Sequence, residues 1–166
     1  KGLPDRIDFN RLLDAITKSG DVQLERLYRE YLPITFGRRH GDPSRPWNKF
    51  QIRLKDGNKN RLLFYEGNWR DIFQNWEALA FSYPEFTESM IAKFVNASTL
   101  EGYNPYRISK EGIDWEVEDT ADPWAYIGYW GDHQIIYLSK LLELSTRFHP
   151  SRLRNLLNRP VFNYAN

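Results

Sequence analysis

The stretch "YEGNWRDIFQNW", residues 65–76, sets Tyr65, Trp69, Phe73 and Trp76 among Glu66, Arg70, Asp71, Gln74 and Asn75. With Asn68 as N-cap, a helix here carries Arg70 and Asp71 in its first turn, where backbone N–H groups lack intrahelical partners. Gln74 follows one turn after Arg70, on the same side. Arg, Asp, Gln and an indole can together grip a sugar. Hydroxyls ask for donors and acceptors, and the C–H face of a sugar stacks on a ring. In a plainer reading, Arg70 and Asp71 cap and salt-bridge while Trp69 and Trp76 fill a core. Glu66, Asn68 and Asn75 repeat the polar-aromatic mix, which favours a pocket. The segment is expected to be split: Phe73, Trp76 and Leu79 face a core, and Glu66, Arg70, Asp71 and Gln74 face a cavity.

A second aromatic stretch, "DPWAYIGYWGDHQ", covers residues 122–134. Trp124, Tyr126, Tyr129 and Trp130 surround two glycines, and Asp132 and His133 then open a strong helical pattern. Asp132 fits an N-cap, a common task for this residue type. A histidine at a helix start is more often a hydrogen-bonded packing residue than a base. The loop "GRRHGDPSRPWN" groups Arg38, Arg39, His40 and Arg45 between turn formers. It can hold a phosphate or carboxylate, or it is a solvated loop with Asp42 as counter-charge. The acidic run "EGIDWEVEDTADPW" reads as a solvated face and does not have calcium-loop spacing.

Other chemistries are absent from the pattern. The three histidines are far apart and there is no cysteine, so no zinc pattern forms and disulfides are excluded. No nucleotide P-loop, dinucleotide fingerprint or nucleophile elbow appears. No cofactor is implied. A formal net charge of +1 gives no bulk attraction to nucleic acid or to an anionic membrane. No run approaches the length of a membrane span. The cysteine-free composition fits a reducing compartment, and a cytoplasmic location is expected.

These residues need elements to position them. The 166-residue chain is long enough for one domain with a core, and its 16% aromatic content is high. Residues 8–20 read as a helix capped by Asp8 and ended by Gly20. Residues 21–32 read as a second helix, capped by Asp21 and stopped by Pro33. Phe50, Ile52 and Leu54 alternate with polar residues, Asp56-Gly57 turns, and "RLLFY" returns, which predicts a β-hairpin. Helices are predicted from Trp69 to about Ser82, from Glu85 to Ser98, from Asp132 to Phe148, and after Pro150. Residues 99–130 have no clean period, and their aromatics argue for an ordered, functional loop. The expected class is mainly α: helical hairpins with one β-hairpin and long aromatic loops. Residues 1–166 read as a single segment. The missing initial Met and the unspent apolar residues Val161, Phe162 and Tyr164 suggest part of a larger polypeptide.

The order "FYEGNWRDIFQN", a helical hairpin, "TLEGYNPYRIS" and "GYWGDHQIIYLSKLLE" resembles the alpha/alpha-six toroid carbohydrate enzymes. Among these it is most similar to inverting glycoside phosphorylases of the cellobiose phosphorylase kind. The resemblance covers roughly residues 61–145. It implies a helical toroid in which two helix starts line a sugar subsite. Arg70, Asp71 and Gln74 match the Arg-Asp-x-x-Gln-Asp start, with Asn75 where the family has Asp. Asp132 and His133 match the Asp-Asp-His start, with Gly131 in place of the first Asp. The family's catalytic Gly-Asp-Trp-Asn-Asp segment is missing from this chain.

The resulting expectation is a carbohydrate-active segment of glycoside hydrolase or phosphorylase type. Asp71, Glu66 and Asp132 are its candidate acids. Arg70, Gln74, Trp69, Trp130 and His133 would bind the sugar, and Arg38, Arg39 and His40 would bind phosphate or a second sugar. Its partners would be carbohydrate, phosphate and the rest of the polypeptide. The alternative is a non-catalytic helical binding or scaffolding domain, which the missing acid segment favours. A binder of single-stranded nucleic acid has the aromatics but lacks the basic excess.

Overall fold

A computed structural model describes residues 2–33, 53–115, 120–121, 129–130 and 135–165, with Arg70, Tyr129 and Trp130 described by their backbone. The described residues form a mixed, mostly helical domain. It has six α-helices, a three-stranded antiparallel sheet and a separate two-stranded pair.

The first two helices are set by their caps. In α1 (Phe9–Ser19) the Asp8 carboxylate accepts from the N–H groups of Asn10 at 2.9 Å and Arg11 at 3.3 Å. Gly20 ends α1 with φ 69°, a left-handed conformation that glycine adopts without strain. In α2 (Val22–Arg29) the Asp21 carboxylate accepts from Gln23 and Leu24. This helix stops three residues before the expected end. The Tyr31 N–H donates to the Tyr28 carbonyl, a tightened last turn, and Pro33 disfavours helical geometry at Leu32. Phe9 and Tyr28 stack with centroids 4.4 Å apart and tie the pair together.

Of the predicted hairpin, the tip is described. Lys55 and Arg61 form one antiparallel bridge, and the Leu62 N–H reaches the Leu54 carbonyl at 3.0 Å. Asp56 accepts from the backbone of Asn58 and Asn60, and Lys59 takes φ 66° to close the turn. Phe50 and Ile52 lie outside the described residues.

The sheets were not expected. β1 (Glu66–Asn68), β3 (Arg107–Ser109) and β4 (Ile113–Asp114) pair antiparallel in that order, with Asn68 opposite Arg107 and Arg107 opposite Asp114. β2 (Tyr103–Asn104) pairs with β5 (Tyr129–Trp130), Tyr103 opposite Trp130. Residues 99–115, which show no period, are therefore short paired strands. Strands of two or three residues are too brief to display alternation.

α3 (Trp69–Ala80) follows β1 without a loop. Gly67 allows this close turn: a Cβ there would stand 3.2 Å from Cβ of Ile72. A 3-10 turn, Pro84–Phe86, leads into α4 (Thr87–Asn96), and α5 (Ile135–Phe148) and α6 (Arg152–Leu157) complete the chain of helices. Lys140 meets Glu77 at 3.3 Å, and further along the rings of Phe81 and Phe148 lie 6.2 Å apart. Both contacts advance together along the two helices, so α3 and α5 run parallel. Glu88 in the first turn of α4 bonds Ser145 near the end of α5, so α4 runs antiparallel to it. The core lies between these three helices and the sheet. Phe73 sits at its centre, with its ring 4.8 Å from Trp69, 4.8 Å from Trp76 and 4.9 Å from Phe94. No helix among the described residues is long and apolar enough to cross a membrane.

Candidate functional site

Because α3 and α5 are parallel, their first turns lie at one end of the helix layer. Three backbone links hold that end together. β1 runs straight into α3, the Trp69 N–H donates to the Tyr106 carbonyl at 3.0 Å, and Tyr103 close by pairs with Trp130. Arg70 and Asp71 are in the first turn of α3, with Asp71 half-buried, and Gln74 is exposed one turn later. Asp71 and Gln74 both have partners. Asp132 and His133, just before α5 in the chain, lie outside the described residues, as do Arg38, Arg39 and His40.

Two of the candidate residues, Trp69 and Glu66, have evident structural partners. Trp69 is fully buried against Phe73 and Phe94. It has no ring face left for a sugar and is a core residue, because the apolar stripe of α3 is wide enough to include its first position. Glu66 is half-buried and tied to the sheet. Arg107 stands between two carboxylates, its Nη2 2.6 Å and Nε 2.7 Å from Asp114 Oδ2, and its Nη1 3.5 Å from Glu66 Oε1. Phe73 and Trp76 are buried as expected, and Leu79 packs partly against the core.

The opposite end holds a constellation that sequence reasoning missed. Glu88, 5% exposed, is surrounded by donors. Ser145 Oγ donates to its Oε1 at 2.8 Å, His149 Nδ1 lies 3.0 Å from the same oxygen, and Arg152 reaches Oε2 at 3.4 Å. The serine hydroxyl and the histidine ring both turn to the carboxylate, which is not the arrangement of a nucleophile–base relay. It fastens the start of α4 to the end of α5 and to α6. The one sequence hint is an acid at a position whose helical neighbours, Ile91 and Ala92, are buried.

Beside Glu88 a cavity of about 540 Å³ opens between α1, α2, α4 and α6. Arg29, Arg152 and Arg159 and the acids Asp8, Glu85 and Glu88 all line it, so its charges balance. Arg29 and Arg159 share Glu25, at 3.2 and 2.8 Å. The Arg159 hydrogen bond holds the Glu25 carboxyl below the usual range, with Arg29 adding to it. Burial pushes the Tyr28 hydroxyl up to about 12, and it donates to the Phe9 carbonyl at 3.1 Å. Among the described residues no cluster of three or more His, Asp or Glu side chains is placed to hold a metal ion.

Compared with known proteins, the chain matches no family model and no curated protein.

Proposed function

We propose that this chain contributes a carbohydrate-recognition site at the end of the helix layer where α3 and α5 begin, within a larger helical toroid. The observation that carries this reading is the parallel course of α3 and α5, fixed by the Glu77–Lys140 and Phe81–Phe148 contacts. It brings the first turn of α3, which carries Arg70 and Asp71, and the first described turn of α5, at Ile135, to a common end of the layer. The antiparallel α4 between them makes the helical hairpins that a toroid repeats. The β2–β5 pair and the Trp69–Tyr106 hydrogen bond add a direct backbone route from Trp130 to the start of α3.

In this reading Arg70, Asp71 and Gln74 hold sugar hydroxyls, Trp130 supplies the stacking ring, and Asp132 and His133 complete the subsite. Asp71 and Asp132 are the acids to test for catalysis. Glu66 orients Arg107. Arg38, Arg39 and His40 serve a phosphate or a second sugar. The setting is a reducing, cytoplasmic one.

The test is a thermal-shift screen of the longest native polypeptide containing this chain. The panel is mono- and disaccharides, each with and without phosphate. A ligand that binds only the folded state at 100 times its Kd stabilises by about 2.7 kcal/mol. The expected result is a sugar-dependent rise in Tm that is lost in Asp71→Asn and Arg70→Ala. A further rise with phosphate marks a phosphorylase. No rise with any sugar, in a polypeptide that melts cooperatively, overturns the reading in favour of a non-catalytic scaffold.

A further inference from the structure

A second, smaller cavity, of about 240 Å³, lies between α4 and the end of α2. Its walls are largely apolar. Leu27, Tyr31 and Leu32 come from α2 and the residues after it, and Leu63 and Tyr65 from the chain entering β1. Lys93 of α4 lines this cavity and, among the described residues, makes no hydrogen bond or ion pair. The nearby carboxylate is already taken: Glu30 is bonded to Arg26 at 2.7 Å. Lys110 adds a second ammonium to the lining. A lysine whose stem packs on apolar surface ordinarily carries its head out to water. Here burial pushes the Lys93 ammonium below the usual lysine range. Glu30 acts against that shift and Arg26 adds to it.

A desolvated amine keeps more of its free lone pair than a solvated one. We propose that Lys93 is a covalent capture site for a small apolar aldehyde, of single aromatic ring size to suit the cavity. The Lys93 Nζ lone pair adds to the carbonyl carbon and forms a C–N bond. The C=O π pair moves to oxygen, which takes up a proton, and the nitrogen loses one, giving a carbinolamine. Loss of water then leaves C=N. The step is reversible and needs no oxidant or reductant. The Leu27, Leu32 and Leu63 side chains give the ring of the aldehyde an apolar wall, and the Tyr31 ring adds a face for an aromatic ligand. This site is separate from the sugar-binding end and stands or falls without it.

The experiment uses the whole chain with benzaldehyde at pH 7, traps imines with cyanoborohydride, and counts adducts at each lysine by peptide mass spectrometry. Glyceraldehyde, a polar aldehyde, is run in parallel. The expected result is at least a tenfold excess of benzaldehyde adduct at Lys93 over the exposed Lys18 and Lys59, and no such excess with glyceraldehyde. Lys93→Met, which keeps an apolar stem, removes that adduct from the total mass. Equal labelling of Lys93, Lys18 and Lys59 overturns the proposal. So does an excess at Lys93 that is the same for both aldehydes, because the apolar cavity then selects nothing.

Discussion

Two ionic clusters sit at opposite ends of the helix layer and use the same groups differently. At the sheet end Arg107 lies between Glu66 and Asp114, and its side chain is 35% exposed. At the far end Glu88 lies among Ser145, His149 and Arg152, and its side chain is 7% exposed. An exposed pair exchanges water for a partner at little net gain. A buried carboxylate has no water to return to, so removing it strands its donors. The far end therefore spends its polar groups on stability. The sheet end keeps its polar groups nearer the surface.

This contrast can be broken by mutation. The largest effect belongs to the core beneath the sheet end: Trp69→Ala should cost about 3–5 kcal/mol in urea unfolding. A stable Trp69→Ala variant that lost only sugar binding would return this indole to the site. Glu88→Ala should cost about 2–3 kcal/mol through its stranded donors. A loss below about 0.5 kcal/mol, typical of a surface position, would show that the far end is no tighter than the near one. Arg107→Ala should cost less than about 1 kcal/mol, and a cost equal to that of Glu88→Ala would erase the difference between the clusters.

The smallest effect is a trend with pH at Lys93, midway along α4. Its folded pKa is lowered by burial, so the unfolded chain binds the proton more strongly. The cost of Lys93 is fully present below the folded pKa and fades as pH rises toward the ordinary value of 10.5. The stability gained by Lys93→Met should accordingly shrink between neutral pH and about 10. A gain constant across that range would show that Lys93 is solvated. The series must stop there, because Tyr28 and Tyr65, both raised to about 12 by burial, lose stability as pH climbs past 10.

Where the chain bonds to itself nearby, the sequence was sufficient. Asp8, Asp21 and Gly20 mark helix ends through contacts within a few residues, and those ends are where the caps put them. The stripe through Phe73 and Trp76 likewise announced the buried face of α3. The candidate site was legible only as residue types. Nothing local separates Trp69, which is core, from a stacking platform, because an indole suits both. Nothing local shows that Glu66 meets Arg107, 41 positions away, or that Glu88 meets Ser145, 57 positions away. The sequence by itself determined where α1 and α2 begin and that α3 buries Phe73 and Trp76, because capping and amphipathic periodicity are short-range. Only the tertiary structure decided that α3 and α5 run parallel, that two- and three-residue strands pair, and which charges leave water. Each of those depends on surfaces brought together from distant parts of the chain.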